Sequence, residues 1–155
     1  MTIIQDLYNV FDKERARYDA NKAWKNAVLR ELAENLAFMR EGLRENLDDS
    51  KIINNLESKK FVLANDNGFN FNSIKGTTLS PKTYGDAKEF DKYKDWSTDK
   101  LIKNAYERIS TLRKLKVNEP SINARSRLQN LFKFLMVILA HVDEKPLTIT
   151  NKSAR

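Results

Sequence analysis

The sequence predicts an all-α protein: a helical bundle of about four main helices, with a long first helix and a loop of about 20 residues between the second and third. Only 4 Gly and 3 Pro occur among the 155 residues, so the tight turns of β-sandwiches and barrels lack their usual residues. Apolar residues also recur at the three- and four-residue spacing of amphipathic helices. This length suits one domain. We place it at residues 1–142 and expect residues 143–155 to form a loosely ordered tail.

The first predicted helix covers residues 3–47. Its apolar positions at helical spacing are Ile4, Leu7, Phe11, Trp24, Val28, Leu32, Leu36, Met39 and Leu43. Residues 12–23 carry few apolar side chains but no Gly or Pro, so one continuous helix and two helices with a break near Asn21 remain as alternatives. A continuous helix would measure about 67 Å, which is longer than a compact domain of this size. Part of it would then extend from the bundle and contact a partner.

A second helix is predicted from Asp49 or Ser50 to about Asn65, with Gly68 as its C-terminal stop. The positions assigned to its inward face are Ile52, Ile53 and Leu56, with Val62 and Leu63 as further candidates. A β-hairpin made of residues 61–64 and 69–74 is the alternative, because apolar and polar residues alternate there. We favour a helix followed by a loop.

The longest predicted loop covers residues 67–85 and contains three of the four glycines. A connection of this length inside a compact domain is usually functional or disordered. Two interpretations remain: the loop binds a ligand, or Phe69, Phe71 and Ile74 hold it against the bundle. We favour the second, since these apolar side chains are expected to be buried.

Two further long helices are predicted after a short helical piece near residues 87–94. The third begins at Ser97 or Thr98, a capping residue that Asp99 supports in the first turn. Its inward positions are Leu101, Ala105, Ile109 and Leu112, followed by Leu115 or Lys116. A turn at residues 117–121 precedes the fourth helix, residues 122–142. Residues 134–140 are all apolar, so this helix lies either at the centre of the bundle or against another copy of the protein.

Composition excludes several kinds of chemistry. The chain has no Cys and a single His, which excludes disulfides, cysteine nucleophiles, thiolate metal sites and multi-histidine centres. The glycines are too widely spaced to form a phosphate-binding loop. The longest apolar run has seven residues, far fewer than the roughly 20 that cross a bilayer. Since the N-terminus also lacks the pattern of a signal peptide, we expect no membrane span and a cytoplasmic location.

Neither a catalytic set nor a metal site is recognisable. His141 ends the apolar helix beside Asp143 and Glu144, and we interpret it as a partly buried or capping residue at a helix C-terminus. Four glutamates lie along one side of the first helix: Glu31, Glu34, Glu41 and Glu45. Arginines are interleaved with them, which is typical of a solvated, ion-paired face. We therefore predict no enzyme activity, no cofactor and no metal.

The net charge is +7, from 28 Lys and Arg against 21 Asp and Glu. Nine cations and three acids fall between residues 97 and 141, so six of the seven net charges lie there. The predicted anion site consists of five cations around the turn between the last two helices: Arg113, Lys114, Lys116, Arg125 and Arg127. The first three suit a helix C-terminus, whereas Arg125 and Arg127 lie near an N-terminus and need an offsetting anion. That anion is a ligand, or else Glu119 or an acid of the first helix.

These observations predict a non-enzymatic helical interaction protein that acts through protein–protein contacts and self-associates, through either its long first helix or its apolar fourth helix. The alternative is a basic protein that binds nucleic acid or another anion at the turn between the last two long helices. Against it, the sequence has no recognisable recognition helix and no interleaving of basic and aromatic residues.

Overall fold

Six α-helices make up the architecture of the described chain. A computed structural model describes the backbone of residues 3–147 and the side chains of residues 19–147. The helices are α1 (Ile3–Arg44), α2 (Asp49–Asn54), α3 (Lys59–Asp66), α4 (Pro81–Tyr84), α5 (Thr98–Asn118) and α6 (Arg125–Asp143). Two 3-10 turns, Phe71–Ser73 and Lys88–Tyr93, precede and follow α4. No strand occurs between residues 3 and 147, and the predicted all-α class is confirmed.

Helix α6 lies at the centre of the bundle. It packs against α1, α5 and α4. Its buried apolar side chains spread over more than one face: Leu128, Leu131, Phe134, Leu135, Val137, Ile138 and Ala140. An apolar helix of this kind must be surrounded. Other helices of the same chain surround it, which agrees with the predicted placement at the centre of the bundle. Met136, with 36% of its surface exposed, is the large apolar side chain of α6 that remains open to solvent.

Helix α1 is continuous, and the alternative with a break near Asn21 is wrong. Its 42 residues correspond to about 63 Å at 1.5 Å per residue. Residues 19–23 are exposed, Trp24 is half-buried, and Val28 is the first buried position among the described side chains. The predicted apolar stripe then continues through Leu32. The side chains of Ile4, Leu7 and Phe11 lie outside the described residues.

The predicted second helix is in fact two helices, α2 and α3. The side chain of Asn35 interrupts it, because its Nδ2 donates to the carbonyl of Glu57 and its Oδ1 accepts from the amide of Glu57, both at 2.8 Å. The guanidinium of Arg113 donates to the carbonyl of Leu56 in the same connection. These side chains replace the backbone partners that a continuous helix would have provided.

The break also changes which side of α3 faces the core. Ala64 is buried and Phe61 is half-buried, whereas Val62 and Leu63 leave 47% and 48% of their surface exposed. The predicted inward placement of Val62 and Leu63 is therefore wrong. The physical reason is that the non-helical residues 55–58 reset the helical phase, so the stripe that passes through α2 does not continue into α3.

Glu31 of α1 caps the N-terminus of α3. Its side chain is buried, and its two carboxylate oxygens accept from the amides of Lys60 at 2.8 Å and Phe61 at 3.1 Å. The hydroxyl of Tyr106 donates to Glu31 at 2.8 Å. A carboxylate is stabilised here because the first amides of a helix are unpaired and carry partial positive charge. Burial and the Glu31 carboxylate raise the pKa of Tyr106, so its hydroxyl keeps the proton that it donates.

The predicted solvated face of α1 is therefore correct only in part. Glu34 is exposed, and Glu41 forms an ion pair with Arg44 on the surface. The prediction is wrong for Glu31, which faces the interior. Its three hydrogen-bond donors come from α3 and α5, and no residue near Glu31 in the sequence indicates them.

The long loop at residues 67–85 is held against the bundle. Phe69, Phe71 and Ile74 are buried, as the favoured interpretation predicted. Gly68 follows α3 with φ at +72°, a conformation that Gly adopts without strain. Leu79 is fully buried as well, and its amide donates to the carbonyl of Trp96 at 2.9 Å. Apolar burial therefore fixes the course of this loop, and ligand binding by it stays a prediction.

Residues 143–147, the first part of the predicted tail, are attached to the bundle. The amide of Leu147 donates to the carbonyl of Thr83 at 2.8 Å, and Glu144 forms an ion pair with Lys75. The folded part of the chain consequently extends beyond the predicted limit at residue 142. Residues 148–155 lie outside the described residues.

No helix in the described part of the chain is long and apolar enough to cross a membrane.

Candidate functional site

Three of the five predicted anion-site residues bind groups of the protein itself. Arg113 lies against the α2–α3 connection and donates to the hydroxyl of Ser58 at 3.0 Å and to the carbonyl of Leu56. Lys116 bends over the α5–α6 turn, where its Nζ donates to the carbonyl of Ile122 at 2.9 Å. Both cations therefore hold backbone segments of the protein itself.

Arg125 is also engaged within the chain. Its Nε lies 2.9 Å from Oδ1 of Asp49 at the start of α2, and its guanidinium donates to the carbonyl of Leu47. Ion pairing was one of the two alternatives for this residue, but its acid is Asp49 and not Glu119 or an acid of α1. Lys114 and Arg127 are exposed. Anion binding by these two residues stays a prediction, and only Arg127 lines a cavity described below.

A groove between α5 and α6 brings together a different set of residues. It consists of two cavities, of about 370 Å³ and about 280 Å³, whose walls share Arg108 and Asn130. We call it the α5–α6 groove. The larger cavity is also lined by Asn104, Glu107, Thr111, Leu112 and Arg127, and the smaller by Glu89, Phe90, Lys92, Tyr93, Lys133 and Phe134.

Arg108 lies where the two cavities meet. Its guanidinium carbon is 4.1 Å from the centre of the Phe134 ring and 5.5 Å from the centre of the Tyr93 ring. One guanidinium nitrogen donates to the Tyr93 hydroxyl at 2.8 Å. Stacking and the hydrogen bond together orient the guanidinium. Within residues 19–147 no carboxylate forms an ion pair with it, so its charge is free to bind a ligand.

Two amide side chains lie beside Arg108. Oδ1 of Asn104 is buried, and no described group donates a hydrogen bond to it. A buried acceptor without a donor costs about 1–3 kcal/mol. Asn130, on α6, is exposed at the junction of the cavities. Oδ1 of Asn104 therefore lacks a donor among the described residues, and the exposed amide of Asn130 is the accessible acceptor beside the cationic donors.

Charges of both signs line the groove. The cations are Lys92, Arg108, Arg127 and Lys133, and the carboxylates are Glu89 and Glu107, which leaves an excess of two positive charges. Nζ of Lys133 lies 3.5 Å from a carboxylate oxygen of Glu89, and both side chains are about half exposed. Solvent screens a pair of this kind. The net field of the groove favours an anionic group near Arg108.

Sequence analysis did not single out Arg108. Its aromatic partners come from α6 and from the 3-10 turn before α5, and only tertiary packing places them around the guanidinium. One signal was present in the sequence. The residues three and four positions away on either side are Asn104, Ala105, Thr111 and Leu112, so Arg108 has no acid at the helical spacings that favour an ion pair.

His141 connects three elements of the fold. Its ring is buried, and Nε2 lies 3.0 Å from Oγ1 of Thr98 on α5. The Thr98 hydroxyl donates its only proton to the carbonyl of Lys75 at 2.7 Å, so Nε2 of His141 is the donor to Thr98. The predicted partly buried position of His141 is wrong. The side chain is only 3% exposed, and its ring joins α6 to α5 through Thr98.

The buried imidazole makes stability depend on pH. Burial, and then the nearby Lys75 ammonium, lower the pKa of His141, while a hydrogen bond with the Thr77 backbone acts in the opposite direction. The unfolded chain therefore takes up a proton at a higher pH than the folded chain. We expect the free energy of unfolding to fall as the pH is lowered from about 6.5 through the folded pKa.

Urea denaturation followed by circular dichroism at several pH values measures this effect. The control is H141Q, which keeps a donor for Thr98 but does not titrate. A pH slope that is equal in the wild-type and H141Q proteins would contradict the assignment.

No three His, Asp or Glu residues with described side chains lie close enough together to bind one metal ion.

Comparison with models of known protein families, with curated proteins and with solved structures finds no match. Functional inference for this chain therefore rests on the geometry of its own residues.

Proposed function

We propose that this protein is a non-catalytic helical interaction protein that binds an acidic segment of a partner protein in the α5–α6 groove. The observation that carries the proposal is the guanidinium of Arg108, which is stacked on Phe134 and pairs with no described carboxylate. Asp and Glu side chains present two oxygens in the plane that a guanidinium fork recognises.

The position of Arg108 makes such a pair stronger than an exposed one. Its side chain is half-buried between α5, α6 and the 3-10 turn, so the conformational freedom lost on binding is small. Exposed ion pairs contribute about 0–1 kcal/mol, and an oriented, partly desolvated guanidinium contributes more because solvent screens it less. Arg127 adds a second cation at the open end of the groove.

Three features favour a protein segment over nucleic acid. Glu89 and Glu107 interrupt the positive surface that a backbone with a phosphate on every nucleotide requires, whereas a peptide whose acids alternate with neutral residues brings fewer negative charges near them. The side-chain amide oxygen of Asn130, which is exposed at the junction of the cavities, can accept from a peptide N–H, a donor that a phosphodiester lacks. The aromatic rings of the groove, Tyr93 and Phe134, are buried, so they provide no surface on which bases could stack.

Fluorescence anisotropy tests the proposal with a labelled peptide that alternates Glu and Ser. We expect it to bind more tightly than the matching Gln–Ser peptide, and R108Q to weaken binding by at least about tenfold, equivalent to about 1.4 kcal/mol. K114Q is the control, because Lys114 is an exposed cation of α5 outside the groove. Equal binding of the two peptides, or equal effects of R108Q and K114Q, would refute the proposal.

Duplex and single-stranded nucleic acids form the second arm of the same experiment. The ligand class is nucleic acid if one of them binds more tightly than the Glu–Ser peptide. For duplex DNA, the logarithm of the binding constant should then fall against the logarithm of the salt concentration with a slope of about −0.9 per neutralised phosphate. R127Q is the variant suited to this arm, because Arg127 is exposed. Arg125 is not suited, since its substitution would break the ion pair with Asp49.

Self-association through α1 is a second candidate function. Residues 3–23 of α1 precede Trp24, the first half-buried residue among the described side chains, and correspond to about 31 Å of helix. We expect a dimer or larger oligomer at high micromolar concentration and a monomer after deletion of residues 1–18, because a helix of 42 residues is longer than a compact domain of this size and the deletion shortens it. Size-exclusion chromatography with light scattering measures both. A full-length protein that remains monomeric contradicts this expectation.

A further inference from the structure

A second pocket, remote from the groove, lies where the long loop, α4 and the end of α6 meet. Its volume is about 300 Å³, and His141 forms part of its wall. Four hydroxyl groups line it: Thr77, Thr78, Ser80 and Thr83. Two ammonium groups, from Lys75 and Lys82, line it as well. The lining of this pocket is therefore rich in hydrogen-bond donors, and none of these residues lines the α5–α6 groove.

Lys75 is the enclosed charge of the pocket. Its side chain is 16% exposed, whereas the side chain of Glu144, its ion-pair partner, is 75% exposed. An ammonium that is largely removed from water needs an anion close to it. Glu144 supplies that anion from a left-handed residue, with φ at +56°, immediately after α6. The carboxylate of Glu144 thus marks a place in the pocket where an anion is stable.

We propose that this pocket binds the phosphate group of a small molecule, which replaces the carboxylate of Glu144 on Lys75. Glu144 is mostly exposed, so its side chain can move into water at little cost. A tetrahedral phosphate accepts several hydrogen bonds at once, and Thr77, Ser80 and Thr83, which line the pocket, each carry a hydroxyl donor. Lys82 contributes a second positive charge.

The single histidine of the chain provides the measurement. Its ring protons give isolated NMR signals, and His141 lines the pocket. We expect inorganic phosphate to shift these signals saturably and to raise the pKa of His141, because a bound dianion favours the charged imidazole. Glycerol phosphate is the second probe. If it binds more tightly than inorganic phosphate, the natural ligand is a phosphate monoester, and if it binds more weakly, the ligand is the free ion. Acetate is the control ligand.

Two substitutions have opposite expected effects. K82Q should weaken phosphate binding about tenfold, since it removes one of the two cations, and E144Q should tighten it severalfold, since it removes the internal competitor. K88Q is the matched control and should leave the affinity unchanged, because Lys88 is an exposed cation that does not line the pocket. Shifts that do not saturate, equal binding of acetate, or an affinity that E144Q leaves unchanged would overturn the proposal.

Discussion

Replacement of Glu31 by Ala is expected to lower the free energy of unfolding by about 3–5 kcal/mol, the usual cost of removing one partner from a buried charged network. The variant removes the acceptor for the amides of Lys60 and Phe61 and for the hydroxyl of Tyr106. The buried hydroxyl of Tyr106 then has no acceptor, at about 1–3 kcal/mol, and the two partly buried amides lose the carboxylate that caps α3, at about 1 kcal/mol or more. A loss of this size is a large fraction of the 5–15 kcal/mol that typically stabilises a domain.

Urea denaturation monitored by circular dichroism measures this loss. E34A is the matched control, because Glu34 lies one turn further along the same helix and is exposed, and its effect should stay within about 0.5 kcal/mol. E31Q should be intermediate, since an amide keeps one oxygen acceptor but turns an NH₂ group toward a donor. If E31A and E34A have equal effects, Glu31 does not cap α3 in solution.

Replacement of Phe134 by Ala should destabilise the protein by about 3–5 kcal/mol, as is usual for a buried Phe. The side chain is 1% exposed, and its ring centre lies 4.8 Å from that of Tyr93. The substitution leaves a cavity at the centre of the bundle and removes the surface on which the Arg108 guanidinium stacks. Stability and ligand binding should therefore change together.

M136A is the control for this prediction. Met136 lies two residues further along the same helix, and 36% of its surface is exposed, so its truncation should cost less than about 1 kcal/mol. Equilibrium unfolding in urea gives both values. F134L separates the two roles, since it keeps most of the buried volume but replaces the aromatic ring. If F134L stays folded and binds the Glu–Ser peptide as well as the wild-type protein, Phe134 does not orient Arg108.

The class of fold was predictable because it depends on local properties of the chain. Scarcity of Gly and Pro and apolar spacing of three and four residues indicate helices without knowledge of any tertiary contact. The beginning of α5 followed in the same way, since Ser97 accepts a hydrogen bond from the amide of Lys100 within the same turn. The apolar stretch from Phe134 to Ala140 predicted that α6 is surrounded, and left open whether the bundle or another copy of the protein surrounds it.

The split between α2 and α3 was not predictable from those local properties. It depends on Asn35 and Glu31, which reach it from α1, more than 20 residues earlier in the sequence. Glu31 was assigned to a solvated helix face, and no role was predicted for Asn35. Polar side chains are mostly exposed, and burial becomes favourable only where partners from other elements satisfy their hydrogen bonds.

The five cations of the predicted anion site show again that a side chain's partners in other elements do not follow from local sequence properties. The sequence by itself determined the all-α class, the order of the long helices and the excess of positive charge between residues 97 and 141. Only the tertiary structure decided which cations are free: it paired Arg125 with Asp49, placed Arg113 on a backbone carbonyl, and stacked Arg108 on Phe134. Charge and periodicity are properties of neighbours along the chain, whereas the partner of a long cationic side chain is chosen among groups that packing alone brings within a few ångströms.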